Sequence, residues 1–359
     1  MISSFGPVPS VARSTADEVV GRDAWNSDLE RANGHILQSW EWGEFKAHHG
    51  WGVERLRIES SHGLGLAQVL FKSKGPVSLA YVPRGPALAA TGDTAPLFDE
   101  LRSRLDAVCR RRRALSLILE RDDALGLTGS FRSRGFVRGS GHYQPGRTVK
   151  VPLLLDDDAL LAQMHQKNRY SVRLAVRRGV TVERGGTDEA SIDSFYELLT
   201  ETAGRNRFGI HDRSYYDDFM RIFDERALML FAMVDGRIAA GLIAVRFGAE
   251  SAYIYGGSST IHRADGAAFI LQYEAMRWAR DAGSLRYDLW GIPAEPGPAD
   301  RGDSDNLTGA TQSAGEDMRG LLNFKTRFGG DIVDYPPMME RRYVPVISWL
   351  AGRIAFDRA

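Results

Sequence analysis

Tyr253-Ile-Tyr255-Gly256-Gly257-Ser258 sets two phenols two residues apart and ends in paired glycines, the make-up of a strand whose backbone something approaches closely. Asp288, in Tyr287-Asp288-Leu-Trp-Gly291, is a carboxylate suited to be a base, a counter-ion for an ammonium, or a cap on the Gly291 turn. Lys167, Arg169, Arg173, Arg177 and Arg178 put five cations into twelve residues, a stripe able to hold a phosphate backbone and equally able to be a solvated helix face. Arg263-Ala-Asp-Gly266-Ala-Ala268 fits the loop with which an acyl-CoA N-acyltransferase cradles a pyrophosphate at a helix N-terminus. Lys325, between Phe324 and Phe328, reads by itself as a surface lysine beside core aromatics. No Ser-His-Asp, Cys-His or metal-ligand pattern is evident, so no covalent nucleophile, metal or cofactor is expected.

The elements that must carry these residues follow from periodicity. Tyr253–Tyr255 reads as a strand, 267–282 as a largely buried helix stopped by Gly283, and 285–290 as a return strand. Together they make a ligand-binding unit of an α/β sheet. Ahead of it lie an amphipathic helix, Ser191 to Arg205, and two strands, Leu228–Val234 and Ile238–Phe247, turning at Asp235-Gly236. In the first half, Ser39 caps a helix with Trp42 and Phe45 on one face and Lys46 on the exposed side. Strands at Val53–Ile58 and Gly65–Lys72, then one at Ser78 running into Pro83-Arg84-Gly85-Pro86, precede a helix from Pro96 to Arg112 and a buried strand, Ala114–Leu119. The run Arg110 to Arg113 is able to touch phosphate, although cations also simply favour a helix C-terminus. Asp156 to Asp158 launch one helix, Ala159 to Arg178, whereas residues 1–32 are weakly patterned. Helix, hairpin, strand, helix, strand therefore occurs once in each half, as in a duplicated α/β domain. Pro, Gly, Asp and Ser dominate 294–314, which reads as a surface loop near the site.

Composition narrows the class. The chain of 359 residues is long for one core, and its 46 basic and 46 acidic side chains cancel, so attraction for a polyanion has to be local. One cysteine, Cys109, excludes an internal disulfide and suits a reducing cytoplasm. The start lacks the pattern of a signal peptide, and no apolar run nears the roughly 18 residues of a membrane span. Val344 to Phe356, which contains Arg353, reads as a helix packed on a domain.

Seven patterns, in order, carry a family resemblance: Gln38-Ser39-x-x-Trp42-x-x-Phe45-Lys46; Tyr81-Val-Pro-Arg84-Gly85-Pro86; Asn168-Arg169-Tyr170 with Ala175-x-x-x-Gly179-Val180; Glu201-Thr-Ala-x-Arg205-Asn-x-Phe208; Tyr253-x-Tyr255-Gly256; Tyr287-Asp288-Leu-x-Gly291; and Phe324-Lys325-x-x-Phe328-Gly329. The chain resembles the Fem family of non-ribosomal peptidyltransferases, which build the interpeptide bridge of peptidoglycan, over most of residues 35–345. The resemblance implies an α/β (α+β) fold of two tandem acetyltransferase-like (GNAT-like) domains. The first would span 1–150 plus the returning tail 336–359, and the second 151–335. It resembles the shorter members that lack a coiled-coil arm.

The activity implied is transfer of an amino acid from aminoacyl-tRNA to a side-chain amine of a UDP-MurNAc-pentapeptide or a lipid-linked muropeptide. That places the protein in the cytoplasm or at the inner face of the membrane. By the same resemblance Lys325 meets the transferred ester beside Phe324, with Asp288 a further catalytic candidate. Lys46 and Arg205 match positions that hold the acceptor's diphosphate, Arg207 being an equally basic neighbour. Arg84, Tyr216, Tyr253, Tyr255 and Gly256 are expected on the acceptor side, and the 167–178 stripe on the tRNA side.

Overall fold

The computed structural model describes residues 21–122, 131–139, 142–154, 156–206, 208–262, 265–293 and 320–344. In chain order, the first half holds α1 (Arg22–Arg31), α2 (Trp40–His48), β1 (Gly52–Ser60), β2 (Gly63–Lys74), β3 (Val77–Pro83), β4 (Ala87–Ala90), α3 (Thr94–Arg111), β5 (Ala114–Glu120) and β6 (Phe136–Arg138). The second holds β7 (Arg147–Pro152), α4 (Asp157–Ala162), α5 (Gln166–Arg177), β8 (Thr181–Gly185), α6 (Glu189–Asn206), α7 (Arg213–Phe223), β9 (Ala227–Val234), β10 (Arg237–Phe247), β11 (Glu250–Ser258), α8 (Ala267–Asp281) and β12 (Arg286–Asp288). Two strands close the described chain, β13 (Asp331–Asp334) and β14 (Met339–Arg342).

These strands form two seven-stranded sheets. The first runs β1-β2-β3-β5-β14-β6 with β4 on β2, and the second β13-β7-β12-β11-β10-β9-β8. In each, an antiparallel hairpin (β1–β2, β9–β10) leads to a strand, a helix and a parallel partner: β3 pairs parallel with β5 across α3, and β11 with β12 across α8. The repeat legible in the sequence is thus a repeat of topology. After β13 has paired with β7 in the second sheet, β14 returns to lie between β5 and β6 in the first.

One apolar cluster joins the two halves. Trp25, Leu37 and Phe45 pack in the same core as Phe195, Tyr215, Phe219, Phe231 and Ile243. At its centre Phe45 of α2 meets Tyr215 and Phe219 of α7 edge-on, with ring centroids 4.6 and 5.2 Å apart.

Several sequence expectations need correction. Helix α1 forms in the weakly patterned start because Trp25 and Leu29, four apart, are both buried and the indole Nε1 donates to Gln38 O at 2.9 Å. The single helix expected over 159–178 is two: His165 caps α5 by accepting from the Lys167 N–H at 3.2 Å, and its own N–H donates to Arg327 O. Helix α7 escaped the reading altogether. Lys46 is buried rather than exposed, since α2 is covered on its far side by α7. Among the described residues the longest helices, α3 and α6, have 18 residues and no paired helical arm projects. No described helix is long and apolar enough to cross a membrane. Arg207, Arg263, Ala264, the 294–314 segment and the chain beyond Val344 lie outside the described residues.

Candidate active site

A cavity of about 550 Å³ opens between the two halves. Trp42, Lys46, Trp51, Tyr81, Tyr143 and Gln144 line it from one side; Tyr215, Tyr216, Tyr253, Tyr255, Gly256, Trp290 and Lys325 line it from the other. The wall at β11 owes its shape to a β-bulge: pairing passes from Ile243 with Tyr255 to Ala244 with Tyr253, leaving Ile254 as an extra residue. The bulge sends the two tyrosines to different neighbours. Tyr255 meets Tyr216 and Phe219 of the α7 side at 5.2 and 5.3 Å, whereas the Tyr253 ring lies 5.5 Å from Lys325 Nζ. A Cβ at Gly256 would fall 2.2 Å from the Tyr253 hydroxyl, and one at Gly257 2.7 Å from the Leu198 carbonyl of α6. The paired glycines therefore let a phenol and a helix close on the same strand.

Two ammonium groups face the cavity out of apolar surroundings. Lys46, 3% exposed, has its Nζ 5.5 Å from the Trp42 and Trp51 rings and 5.8 Å from Tyr215, with no ion pair among the described residues. Desolvation, helped by the charge of Lys72, lowers its pKa from 10.5 to about 8. Lys325, 6% exposed, donates from Nζ to Gly291 O at 2.8 Å, and burial lowers it to about 8 against the pull of Asp288. Its neighbour Phe324 packs on Phe269 and Phe328 at 5.0 and 5.2 Å, while the Phe324 carbonyl accepts from Asn168 Nδ2 at 3.0 Å. The backbone beneath Lys325 is thus pinned to α5.

Asp288 lies outside the cavity lining. It accepts from Thr148 Oγ1, from the Trp290 N–H at 2.7 Å and from Tyr335 Oη at 3.3 Å, and burial raises its pKa. The turn it caps holds Trp290 at φ 61, a left-handed backbone uncommon for tryptophan, and Lys325 fastens the next carbonyl. Beside it Glu250, Lys150 and His35 form a polar cluster in which Lys150 Nζ donates to Glu250 at 2.9 Å. His35 Nδ1 accepts from the Leu37 N–H, which leaves the ring proton on Nε2. With an ammonium already seated among the carboxylates and the imidazole arranged as a donor, the cluster is poorly suited to a further cation.

The remaining sequence candidates are dispersed. Arg84 stacks on the Tyr335 ring at 3.4 Å and donates to Pro145 O at 2.6 Å, behind the cavity wall. Arg205 is spent on Ser258 O at 3.0 Å and Thr260 Oγ1 at 2.9 Å, so it ties the end of α6 to β11 and is absent from the lining. On α5, Lys167, Arg173 and Arg177 are exposed, Arg169 reaches back to Ala162 O and Met164 O, and Arg178 pairs with Asp265. Of the Arg263–Ala268 loop, none of the described residues lines the cavity, and Gly266 packs against the Ser171 carbonyl of α5.

Sequence reasoning missed Tyr215, His211 and Glu120. Tyr215 lies on a 215/219/223 stripe, the signal that would also have found α7, and His211 stacks on it at 3.8 Å. Glu120, 1% exposed at the end of β5, accepts from the Tyr81 hydroxyl and from the Tyr143 and Gln144 N–H groups, at 2.6 and 3.0 Å for the last two. It fixes one wall of the cavity. A lone glutamate ending an apolar strand gives no sign of that.

The FemAB family profile matches residues 147–237 and 236–338, more than half of the chain. The chain belongs to the FemAB family. It is 25% identical to the lipid II:glycine glycyltransferase of Staphylococcus aureus (strain USA300), an alignment covering 74% of this chain and 81% of that protein. The crystal structure of FemX superposes with a TM-score of 0.78 at 21% identity, covering 93% of this chain and 98% of the other. A tandem GNAT protein from the clavulanic acid biosynthesis pathway also superposes, with a TM-score of 0.50 at 13% identity, covering 82% of this chain and 83% of the other. The fold is accordingly two tandem GNAT-like domains, and the FemAB match reaches from β7 through Lys325 to the return of the chain toward the first sheet.

Proposed function

We propose that the protein moves an amino acid from aminoacyl-tRNA to a side-chain amine of a peptidoglycan precursor, building an interpeptide bridge. The observation that carries this reading is the cavity between the two domains, into which Lys46 of one and Lys325 of the other both bring a desolvated ammonium. The donor ester is already activated, so neither a covalent nucleophile nor a metal is needed. The acceptor amine attacks the ester carbonyl, the new C–N bond forms, the C–O bond to the tRNA ribose breaks, and the proton given up by the amine ends on the released hydroxyl. Lys325, still mostly charged at neutral pH, stabilises the oxyanion. Holding both reactants in one cavity supplies on the order of 7–11 kcal/mol in favourable cases.

Lys46 suits the acceptor's diphosphate, because a poorly solvated cation gains more from an anion than a hydrated one. Tyr253, Tyr255, Tyr216 and Gly256 line the acceptor's peptide, and Asp288 and Phe324 act by positioning the Trp290-Gly291 turn and Lys325. Arg84 and Arg205 act as supports of the walls. The exposed cations of α5 contact the tRNA. The relatives named for lipid II support a lipid-linked acceptor and, with it, action at the inner face of the membrane. A mixed pool of radiolabelled aminoacyl-tRNAs, offered with UDP-linked and lipid-linked muropeptide in parallel, tests the reading. Label passing to one acceptor supports it; label passing only from an acyl-CoA thioester contradicts it.

A further inference from the structure

Transfer to an amine needs a group that takes a proton from the attacking nitrogen, and few residues of the cavity are suited to it. Among the described residues of the lining there is no carboxylate. Lys46 and Lys325 are mostly ammonium at neutral pH, and burial raises the pKa of each of the six lining tyrosines, so the phenols stay protonated. Two imidazoles remain, His142 and His211. His211 stacks on Tyr215 at the Lys46 end, where burial and the charge of Lys46 lower its pKa.

His142 is placed differently. Its Nδ1 stands 3.7 Å from Oε1 of Glu120, a carboxylate buried behind the lining. An ionised carboxylate offers about four lone-pair sites, and the Tyr81 hydroxyl with the Tyr143 and Gln144 N–H groups occupies three of those on Glu120. The imidazole faces the remaining capacity. A carboxylate opposite Nδ1 keeps the ring proton there and leaves Nε2 as the acceptor. The ring also lies close over Gly146, where an added Cβ would fall 3.0 Å from the His142 Cδ2. In the same loop Pro145 meets the Gly291 turn: a Cβ at Gly291 would fall 2.6 Å from the Pro145 Cβ, and the Gly291 carbonyl is the one that accepts from Lys325 Nζ at 2.8 Å. The loop carrying the imidazole therefore abuts the turn that seats the ammonium.

We infer that His142 is the general base of the transfer and that Glu120 orients it, an assignment resting on the aminoacyl-transfer reading above. The amine lone pair forms the C–N bond while the carbonyl π pair moves to oxygen, where Lys325 meets it. His142 Nε2 takes one proton from the nitrogen. The oxyanion then re-forms the C=O bond as the bond to the ribose oxygen breaks, and Nε2 returns the proton to that oxygen. Glu120 acts only through the imidazole and is a positioning residue.

Steady-state transfer from the aminoacyl-tRNA pool, with UDP-linked and lipid-linked muropeptide in parallel, tests the assignment. His142→Ala should lose about 10²–10⁴-fold in kcat with KM for the acceptor little changed. Added imidazole should restore part of the rate, the more so the more basic the substituted imidazole used. His142→Gln, which keeps a polar side chain but carries no proton, should be equally slow and should not be rescued. Glu120→Gln should lower kcat as well, yet add little to the loss in His142→Ala, because the two act as one unit. Wild-type kcat in His142→Ala, a loss confined to KM, a loss that no imidazole restores, or full additivity of the two substitutions would each overturn the inference and leave the transfer reading standing. A wild type that labels neither acceptor would remove both.

Discussion

At the residue scale two buried ammonium groups, Lys46 and Lys325, carry different proposed tasks. Lys46, which lines the cavity, is held there at a stability cost: displacing its pKa from 10.5 to about 8 corresponds to up to about 3 kcal/mol at neutral pH. Lys46→Met should therefore raise the denaturant midpoint of unfolding while raising KM for the acceptor. The sign is fixed by linkage. Below pH 8 both states are protonated and the gain is full; between 8 and 10.5 only the unfolded chain holds the proton, so the gain fades as pH rises. No change in stability between pH 6 and 10 would mean that Lys46 is not desolvated as described. If the Lys325 ammonium stabilises the oxyanion as proposed, kcat should fall as pH passes about 8, and Lys325→Ala should lack that limb. Neither burial was legible in residue type, because lysine is ordinarily a surface residue. The resemblance pointed to both positions, but Arg205, the expected partner of Lys46, turns its guanidinium to β11.

At the element scale the decisive piece is β11. Its alternation and its terminal glycines were readable, but the bulge at Ile254 was not, since a one-residue register shift depends on the partner strand. Gly257→Ala places a methyl against the Leu198 carbonyl and should destabilise the protein by about 1–3 kcal/mol, measured by chemical unfolding. Gly256→Ala meets the end of the Tyr253 side chain instead. It should leave stability nearly unchanged and depress transfer, and the reverse ranking of the two variants would refute this picture of the strand. Helix α7 shows the opposite limit. Its 215/219/223 stripe is as strong a helical signal as any in the chain, yet its meaning, a face packed on α2 across the domain boundary, is visible only in three dimensions.

At the scale of the whole molecule, duplication was legible because each half repeats the same order of elements, whereas the joining of the halves was not. Phe45 is buried among Tyr215, Phe219 and Phe223 of the other half, so the halves should unfold as one unit. Calorimetry should show a single transition, and Phe45→Ala should lower stability by about 3–5 kcal/mol while uncoupling the halves. Two separate transitions in the wild type would contradict a shared core. The same joining makes the site, since Lys46 and Lys325 meet one cavity only when both domains are in place.

The most direct measurement is single-turnover transfer from aminoacyl-tRNA to muropeptide by wild type and Lys325→Ala, with acceptor affinity determined separately. The account predicts a rate lowered about 10²–10³-fold with acceptor affinity little changed. A variant that transfers at the wild-type rate, or that loses only acceptor binding, would contradict an electrostatic role for Lys325 at the reacting ester.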